Sequence, residues 1–321
     1  MTELIATPTS LSAALAATAA EAEAYHDQAR APATLRAYRA DWQTFAAWCA
    51  ARELASLPAA SETVALYITE MARDRKVATI TRHLASIAQA HRQQAYESPT
   101  RAAVVQNVLK GLRRAKGTAP TQKDAAEIAV IRAMVEQLDD TLQGVRDRAI
   151  LLVGFAGAFR RSELAGLTLD DIQFTNDGLV ITLRRSKTDQ EGEGFAKGIP
   201  YGSTPATCPV RALRAWLETG DITTGSLFRA VWKGGQRLRP TPLNDRAIAE
   251  VIKRAAAAAG YDPTRFGGHS LRAGLVTTAA AAGVDERTIM EQTGHKTTTM
   301  VRRYMRRGSL FRNNAAAKVG L

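Results

Sequence analysis

The sequence predicts a mainly α-helical fold of two domains, an all-helical first domain and a larger mixed α+β domain with a small β-hairpin. The 321 residues suffice for two domains that each bury a core, and the 45% hydrophobic content is that of an ordinary globular protein. Apolar residues recur at steps of three and four over most of the chain, which is the spacing of one helix face. Only residues 179–201 combine β-branched runs with a polar, glycine-containing loop, which indicates a hairpin.

Four helices are predicted in the first domain. Apolar side chains at helical spacing occupy residues 35–49 and 80–91. Ser61 is expected to cap the second helix and Pro99 to begin the fourth, because a hydroxyl accepts an unpaired backbone N–H and proline tolerates the first helical turn. Residues 1–30 are alanine-rich and weakly apolar, and we expect them to form a partly disordered lead-in.

A basic segment separates the two domains. Residues 110–123 hold Gly111, Gly117 and Pro120 with several basic residues and no acidic one. Two interpretations remain open, a linker that lies against a phosphate backbone or a solvated connector. The predicted organisation is a lead-in at 1–30, a helical domain at 31–116, a basic linker at 117–124 and a second domain at 125–321.

The second domain is predicted to be helical around the hairpin. A helix over residues 145–159 is apolar on most sides and should lie at the centre. Residues 179–183 are expected to pair with 199–201 across a loop at 186–194. Helices are also expected, most of them ending at a glycine, at residues 128–138, 210–217, 243–259, 271–282, 286–293 and 298–307.

Charge and cysteine content limit the possible partners. The net charge of +12 predicts a polyanionic partner, and nucleic acid is the first candidate. A membrane partner is not expected, because the longest apolar run, residues 149–159, is too short to span a bilayer. Cys49 and Cys208 lie far apart without a CxxC partner, which argues against a disulfide framework or a cysteine zinc site and fits a cytoplasmic protein.

Several residues in the second domain have the chemistry to handle a phosphate. His269 and Arg272 open a predicted helix, where unpaired N–H groups and the helix dipole favour an anion. His295 follows a predicted helix end, and Tyr304 comes nine residues later within the next helix. Taken singly, a histidine before a helix is more often a cap, and a tyrosine among arginines is more often a surface residue. Their order and spacing, together with Arg160 upstream, favour a common site.

These motifs together resemble the tyrosine recombinase (phage integrase) family, in particular the simple two-domain recombinases of the Cre and Xer type. The Arg-x-x-Glu-Leu box matches residues 160–164, the His-x-x-Arg box matches residues 269–272, and Thr-Gly-His with a tyrosine nine residues on matches residues 293–295 and Tyr304. The resemblance covers most of the chain. It implies a helical core-binding (SAM-like) domain followed by a mixed α+β catalytic domain.

The resemblance implies a mechanism without ATP, metal or any other cofactor. Tyr304 would attack the scissile phosphate to form a 3′-phosphotyrosine, releasing a 5′-hydroxyl for the reverse attack, so that strands exchange through a Holliday junction. Arg160 and Arg272 would hold the non-bridging oxygens, since a guanidinium offers bidentate contacts. Glu163 would brace the arginines.

The proton transfers are assigned by the same resemblance. Lys187 in the hairpin loop would protonate the leaving 5′-oxygen, with Lys197 as the alternative because hairpin lengths vary. His269 would manage the proton of the tyrosine, whose phenol is mostly protonated at neutral pH. His295 would hydrogen-bond the phosphate.

The implied partner is double-stranded DNA with inverted-repeat half-sites, and the protein is expected at the nucleoid. A homotetramer on two paired sites is implied, with a C-terminal helix at residues 309–318 docking in trans. The alternatives are a type IB topoisomerase-like enzyme, which shares the phosphotyrosine chemistry, and a catalytically silent DNA-binding protein. The candidate DNA contacts are Arg82, Arg113, Arg114, Lys116 and Arg161. The helix around Arg82, His83 and Arg92 is expected to enter a major groove.

Overall fold

The computed structural model describes residues 31–117, 123–184, 194–295 and 297–308, together with the isolated helical residues 15, 18, 21 and 25. The chain divides into two compact units, Met1–Thr121 and Gln122–Leu321. Within the described part of the chain, no helix is both long and apolar enough to cross a membrane.

The first unit is an all-helical bundle. Its core is built from large apolar side chains at the helical spacing seen in the sequence, with Phe45, Tyr67, Ile80 and Ile87 among the most buried. Pro99 begins a short 3₁₀ turn rather than the fourth helix itself. The helices are α1 (Pro32–Ala50), α2 (Ser61–Met71), α3 (Val77–Gln93) and α4 (Ala103–Lys116).

A buried polar chain joins three helices of this unit. The Asp41 carboxylate on α1 accepts hydrogen bonds from Arg82 Nε at 2.6 Å and Nη2 at 2.9 Å, and its Oδ1 lies 3.1 Å from His83 Nε2. The other ring nitrogen of His83 lies 2.8 Å from the Tyr67 hydroxyl. Burial lowers the pKa of His83. His83 therefore faces the core, while the expectation that the helix around it enters a major groove stays a prediction.

In the described part of the second unit, seven helices and two small sheets surround a central helix. Its core side chains come from nearly every element, and the central helix, residues Leu142–Ala156, is buried along most of its length. The helices are α5 (Ile128–Glu136), α6 (Leu142–Ala156), α7 (Arg161–Gly166), α8 (Pro209–Thr219), α9 (Asp245–Ala258), α10 (Ser270–Ala282), α11 (Glu286–Thr293) and α12 (Thr298–Gly308).

Both sheets are antiparallel. The first has the order β1-β2-β3, and Leu179 pairs with Ile199 in its β2–β3 ladder. The second is a two-stranded hairpin. The strands are β1 (Ile172–Phe174), β2 (Gly178–Leu183), β3 (Phe195–Pro200), β4 (Arg229–Val231) and β5 (Leu238–Pro242).

The predicted mainly α fold with a small sheet is confirmed, and the differences are local. Strand β3 begins at Phe195, earlier than predicted, and the short strands β1, β4 and β5 were missed because three to five residues give too little alternation to identify a strand. Ser61 is the first residue of α2, not its cap, since the N-cap residue is Ala60. The central helix ends at Ala156, before the predicted boundary.

Helix α10 begins in close contact with the segment that enters the second unit. The backbone N–H of Ala126 donates to the carbonyl of Ser270 at 2.9 Å. A Cβ added at Gly274 would lie 1.9 Å from the Ala126 carbonyl oxygen. Only glycine at position 274 therefore lets the two backbones approach so closely.

We expect Gly274→Ala to destabilise the second unit by about 1–3 kcal/mol, because a backbone carbonyl has to move to admit the methyl group. Gly166→Ala is the matched control, since a Cβ at Gly166 meets nothing within 4 Å. Amide hydrogen exchange across Ser270–Ala282 should accelerate in the first variant and not in the second. Equal protection in both variants would refute the steric explanation.

Candidate active site

A sharp turn after α6 positions the first predicted arginine. Ala158 has φ +48°, a left-handed conformation that is uncommon for a residue with a Cβ and is typical of functional sites. A Cβ at Gly157 would lie 2.1 Å from the ring of Phe159, so the turn is also closely packed. The turn ends at Arg160, the N-cap residue of α7.

Glu163 fixes the position of Arg160. Its Oε2 accepts the backbone N–H of Arg160 at 2.8 Å, and its Oε1 accepts from Arg160 Nη1 at 2.5 Å. The Glu163 side chain is 4% exposed and that of Arg160 is 17% exposed. A buried carboxylate thus holds a guanidinium that still reaches solvent, and such charge-assisted contacts are strong.

Arg272 on α10 is the most deeply buried charge of the site. Its side chain is 1% exposed, and Nη1 donates to the Ala158 carbonyl at 2.8 Å. Nε and Nη2 have no hydrogen-bond partner among the described residues. Burial first, and then the charge of Arg160, lower the pKa of Arg272 to about 10. Unsatisfied buried donors are costly, so these two nitrogens form a ready site for an anion.

His269 and Tyr304 lie beside this guanidinium. His269 is the N-cap residue of α10, and its ring centroid is 6.1 Å from that of Tyr304 at an interplanar angle of 48°. Tyr304 on α12 is 3% exposed and packs with Val276 and Ile289. The electrostatic interaction between Tyr304 and the Arg272 charge favours the charged guanidinium. The structure therefore brings His269, Arg272 and Tyr304 together.

His295 enters the site from the end of α11. Gly294 ends that helix with φ +66°, and His295 Nδ1 lies 2.6 Å from the Thr293 hydroxyl. Burial first, and then the charges of Arg272 and Arg160, lower the pKa of His295 to about 3. His295 is therefore neutral at physiological pH, with Nδ1 engaged by Thr293.

Of the two candidate lysines, Lys187 lies outside the described residues, and Lys197 lies on β3. Lys197 on β3 is 2% exposed, and its Nζ donates to the carbonyls of Gly157 at 2.6 Å and Gln292 at 2.7 Å. Burial first, and then the charge of Arg272, lower the pKa of Lys197 to about 7.

One polar residue of the site, Gln292, was not indicated by the sequence motifs. Gln292 Nε2 donates to the carbonyls of Ala156 at 2.9 Å and Gly198 at 3.2 Å. Thr293, which contacts His295, belongs to the Thr-Gly-His motif. The inward direction of Lys197 did have a signal, because alternation along β3 puts it on the same face as buried Ile199. Gln292 has no such signal, since its contacts depend on how α11 meets the sheet.

Three of the five candidate DNA contacts are paired with other residues of the same unit. Arg82 pairs with Asp41, the Lys116 ammonium donates to the carbonyls of Ala72 and Arg75, and Arg161 Nε lies 3.0 Å from Asp245 Oδ2. Arg113 and Arg114 are exposed in the last turn of α4. Among the residues that the structure describes, no group of three or more histidine, cysteine or carboxylate side chains has the arrangement of a metal site.

The site combines two arginines, two histidines and a tyrosine around guanidinium donors that lack partners among the described residues. It lies on a helical unit with small sheets, and fold and site together define the class of protein to which this chain belongs. The model of the phage integrase family matches residues 127–309, and the chain belongs to this family, whose members include the tyrosine recombinases. The chain is 38% identical over 293 residues to the "Integrase/recombinase xerD homolog" of Selenomonas ruminantium, covering 90% of this chain and 86% of that protein. It is 25% identical to "Recombinase cre" of Escherichia phage P1 over 284 residues, covering 82% and 81%.

Solved structures of the same fold are more distant in sequence. The XerH site-specific recombinase bound to palindromic difH substrate in a post-cleavage complex has a TM-score of 0.59 and 16% identity, covering 81% of this chain and 71% of that one. A λ integrase dimer bound to a COC′ core site has a TM-score of 0.58 and 15% identity, covering 89% and 75%. These similarities confirm the fold.

The buried position of Lys197 predicts a pH dependence of stability. Its pKa is about 7 in the folded chain against an ordinary value of 10.5, so the unfolded chain binds more protons between these values. This group therefore makes the free energy of unfolding rise with pH across that window, whereas below about 7 both states are protonated and its effect is constant.

Lys197→Met should remove this part of the pH dependence. In urea unfolding at several pH values, the stability of the wild type minus that of the variant should increase as pH rises from about 7. Arg287→Met is the control, because it removes an 89% exposed cation from α11. Wild-type and Lys197→Met curves that stay parallel across the window would contradict the assignment.

Proposed function

We propose that this chain is a site-specific DNA recombinase that cleaves and rejoins strands through a covalent bond between Tyr304 and a 3′-phosphate. The observation that carries the proposal is the buried Arg272 guanidinium, which has two donors without a partner in the described part of the chain and faces the only tyrosine among the motif residues. An anionic phosphodiester satisfies those donors and offsets the positive charge of the site. Membership of the phage integrase family supports the same activity.

The proposed chemical step is an exchange of phosphodiester bonds. The Tyr304 oxygen forms a bond to phosphorus while the bond from phosphorus to the 5′-oxygen breaks. Arg160 and Arg272 hold the non-bridging oxygens as negative charge develops there, which is the largest stabilisation such a site supplies. Because one ester replaces another, the later attack by a 5′-hydroxyl needs no ATP, and exchange through a Holliday junction follows.

Proton transfer is divided between two groups, His269 and Lys187. His269, whose ring lies beside that of Tyr304, accepts the phenol proton. His295 is neutral, and we assign it the tautomer with the hydrogen on Nε2, in which Nδ1 accepts from the Thr293 hydroxyl and Nε2 donates to the phosphate. Lys187 gives a proton to the leaving 5′-oxygen, and Glu163 keeps Arg160 in position. No metal or other cofactor takes part.

The proposed partner is double-stranded DNA with inverted-repeat half-sites. The net charge of +12 and the exposed Arg113 and Arg114 support DNA contact. The palindromic substrate in the XerH complex supports paired half-sites. We propose that residues 31–116 form the core-binding domain and residues 125–321 the catalytic domain, joined by the linker at 117–124. A homotetramer acts at the nucleoid in the cytoplasm, with residues 309–318, which lie outside the described residues, docking in trans.

The family assignment bears on the alternatives. The relatives named above are recombinases and integrases, so the type IB topoisomerase alternative is not supported. A catalytically silent DNA-binding protein would not keep a buried, partly unsatisfied arginine beside a tyrosine without cost. Detection of the covalent intermediate separates this alternative from the proposal.

Tyr304→Phe should bind recombination-site DNA as the wild type does and form no covalent adduct, because only the attacking oxygen is lost. The wild-type adduct, trapped on a nicked substrate and mapped by mass spectrometry, should lie on Tyr304 and form equally with and without EDTA. The site assignment fails if the adduct maps to another tyrosine, and strong inhibition by EDTA would show a metal-dependent reaction.

Lys187→Met should lower the single-turnover cleavage rate roughly 100- to 10,000-fold, the range for loss of a general acid. A substrate with sulfur in place of the bridging 5′-oxygen should restore the rate, because a thiolate leaves without protonation. Persistent loss on the sulfur substrate would exclude Lys187 as the proton donor.

A further inference from the structure

The buried ammonium of Lys197 joins two segments that are distant in sequence. One of its carbonyl partners, Gly157, lies three residues before Arg160, and the other, Gln292, lies three residues before His295. Both carbonyls stand at the carboxyl ends of helices, α6 and α11, where the helix dipole concentrates negative charge. A single cation on β3 thus binds the backbone just ahead of two predicted catalytic residues.

Neighbouring contacts strengthen this junction. The Gln292 amide donates to Ala156 and Gly198, and so links α11 to the end of α6 and to β3 a second time. The rings of Phe159 and Phe195 have centroids 5.1 Å and 5.6 Å from Lys197 Nζ, within cation–π range.

The same contacts argue against Lys197 as the donor of a proton to DNA. Its side chain is 2% exposed, and two of its three donors are already bound to carbonyls at 2.6 and 2.7 Å. To reach a leaving oxygen, the ammonium would have to abandon both carbonyls inside the protein. Leaving buried carbonyls without partners is costly.

We propose that Lys197 is a positioning residue, whose ammonium clamps the Gly157 carbonyl to the Gln292 carbonyl and thereby fixes the turn of Arg160 relative to the turn of His295. The proposal rests on the proposed function for its effect on cleavage, but the clamp itself is a property of the fold.

The charges around the clamp make it responsive to the phosphate. The ammonium faces Arg160 and Arg272, which disfavour its charge, and Glu163, which favours it. His295 is the further titratable neighbour, and the Lys197 charge disfavours its protonation. A bound phosphodiester adds a negative charge to this cluster, so substrate binding and a protonated clamp stabilise each other.

Single-turnover cleavage by Lys197→Met tests the proposal on two substrates, one with a bridging 5′-oxygen and one with a bridging 5′-sulfur. Because a displacement of catalytic groups by about 1 Å costs on the order of 100-fold, we expect a loss of that size on both substrates, with unchanged DNA affinity. Lys197→Gln keeps two N–H donors without the charge and should fall between the wild type and Lys197→Met. Arg287→Met should cleave as the wild type does.

The substrates and variants give distinct outcomes. Recovery of Lys197→Met on the sulfur substrate would identify Lys197 as the proton donor and overturn the proposal, as would an unchanged rate on the oxygen substrate. The absence of a Tyr304 adduct in the wild type on either substrate would overturn the proposed function instead.

Hydrogen exchange tests the clamp without any catalysis. Amides at residues 157–160 and 292–295 should exchange faster in Lys197→Met and in Lys197→Gln than in the wild type, and at the wild-type rate in Arg287→Met. Unchanged exchange at both turns in a folded Lys197 variant would overturn the proposal, whatever the cleavage rates.

Discussion

The buried guanidinium of Arg272 is the constraint on which the rest of the second unit depends. A charge in the interior requires compensation, and here the compensation comes from the Ala158 carbonyl and from the negative charge of the Glu163 carboxylate. It is incomplete, since two donors of Arg272 lack partners among the described residues. The fold therefore holds a site whose positive charge and unpaired donors are compensated only when an anion binds. Such an arrangement is a form of preorganisation.

Helix ends supply most of the geometry around that charge. The turn after α6 presents the Ala158 carbonyl because Ala158 adopts a left-handed conformation, and the end of α11 presents His295 because Gly294 does the same. Strand β3 joins the two ends through Lys197. Contacts between segments thus hold Arg272 itself and the two turns that lead to Arg160 and His295, which explains how motifs far apart in sequence meet in one site.

Similarity in sequence and similarity in structure support different conclusions about this chain. The match of the family model and 38% identity to a recombinase homologue across most of both chains establish family membership. The solved structures, at 15% and 16% identity, establish only the fold. The proposed roles of the site residues are supported by contacts within this chain, above all those of Arg272 with Ala158 and of His269 with Tyr304.

The sequence by itself determined the helical fold, the hairpin and the candidate residues, because helical periodicity and motif order are local properties of the chain. The tertiary structure decided which charges are buried: His83 faces a core, Arg161 binds Asp245, and Lys197 binds two carbonyls. Burial and hydrogen-bond partners arise from segments that meet only on folding. For that reason, a lysine that donates a proton could not be distinguished from sequence alone from one that binds the carbonyls at two helix ends.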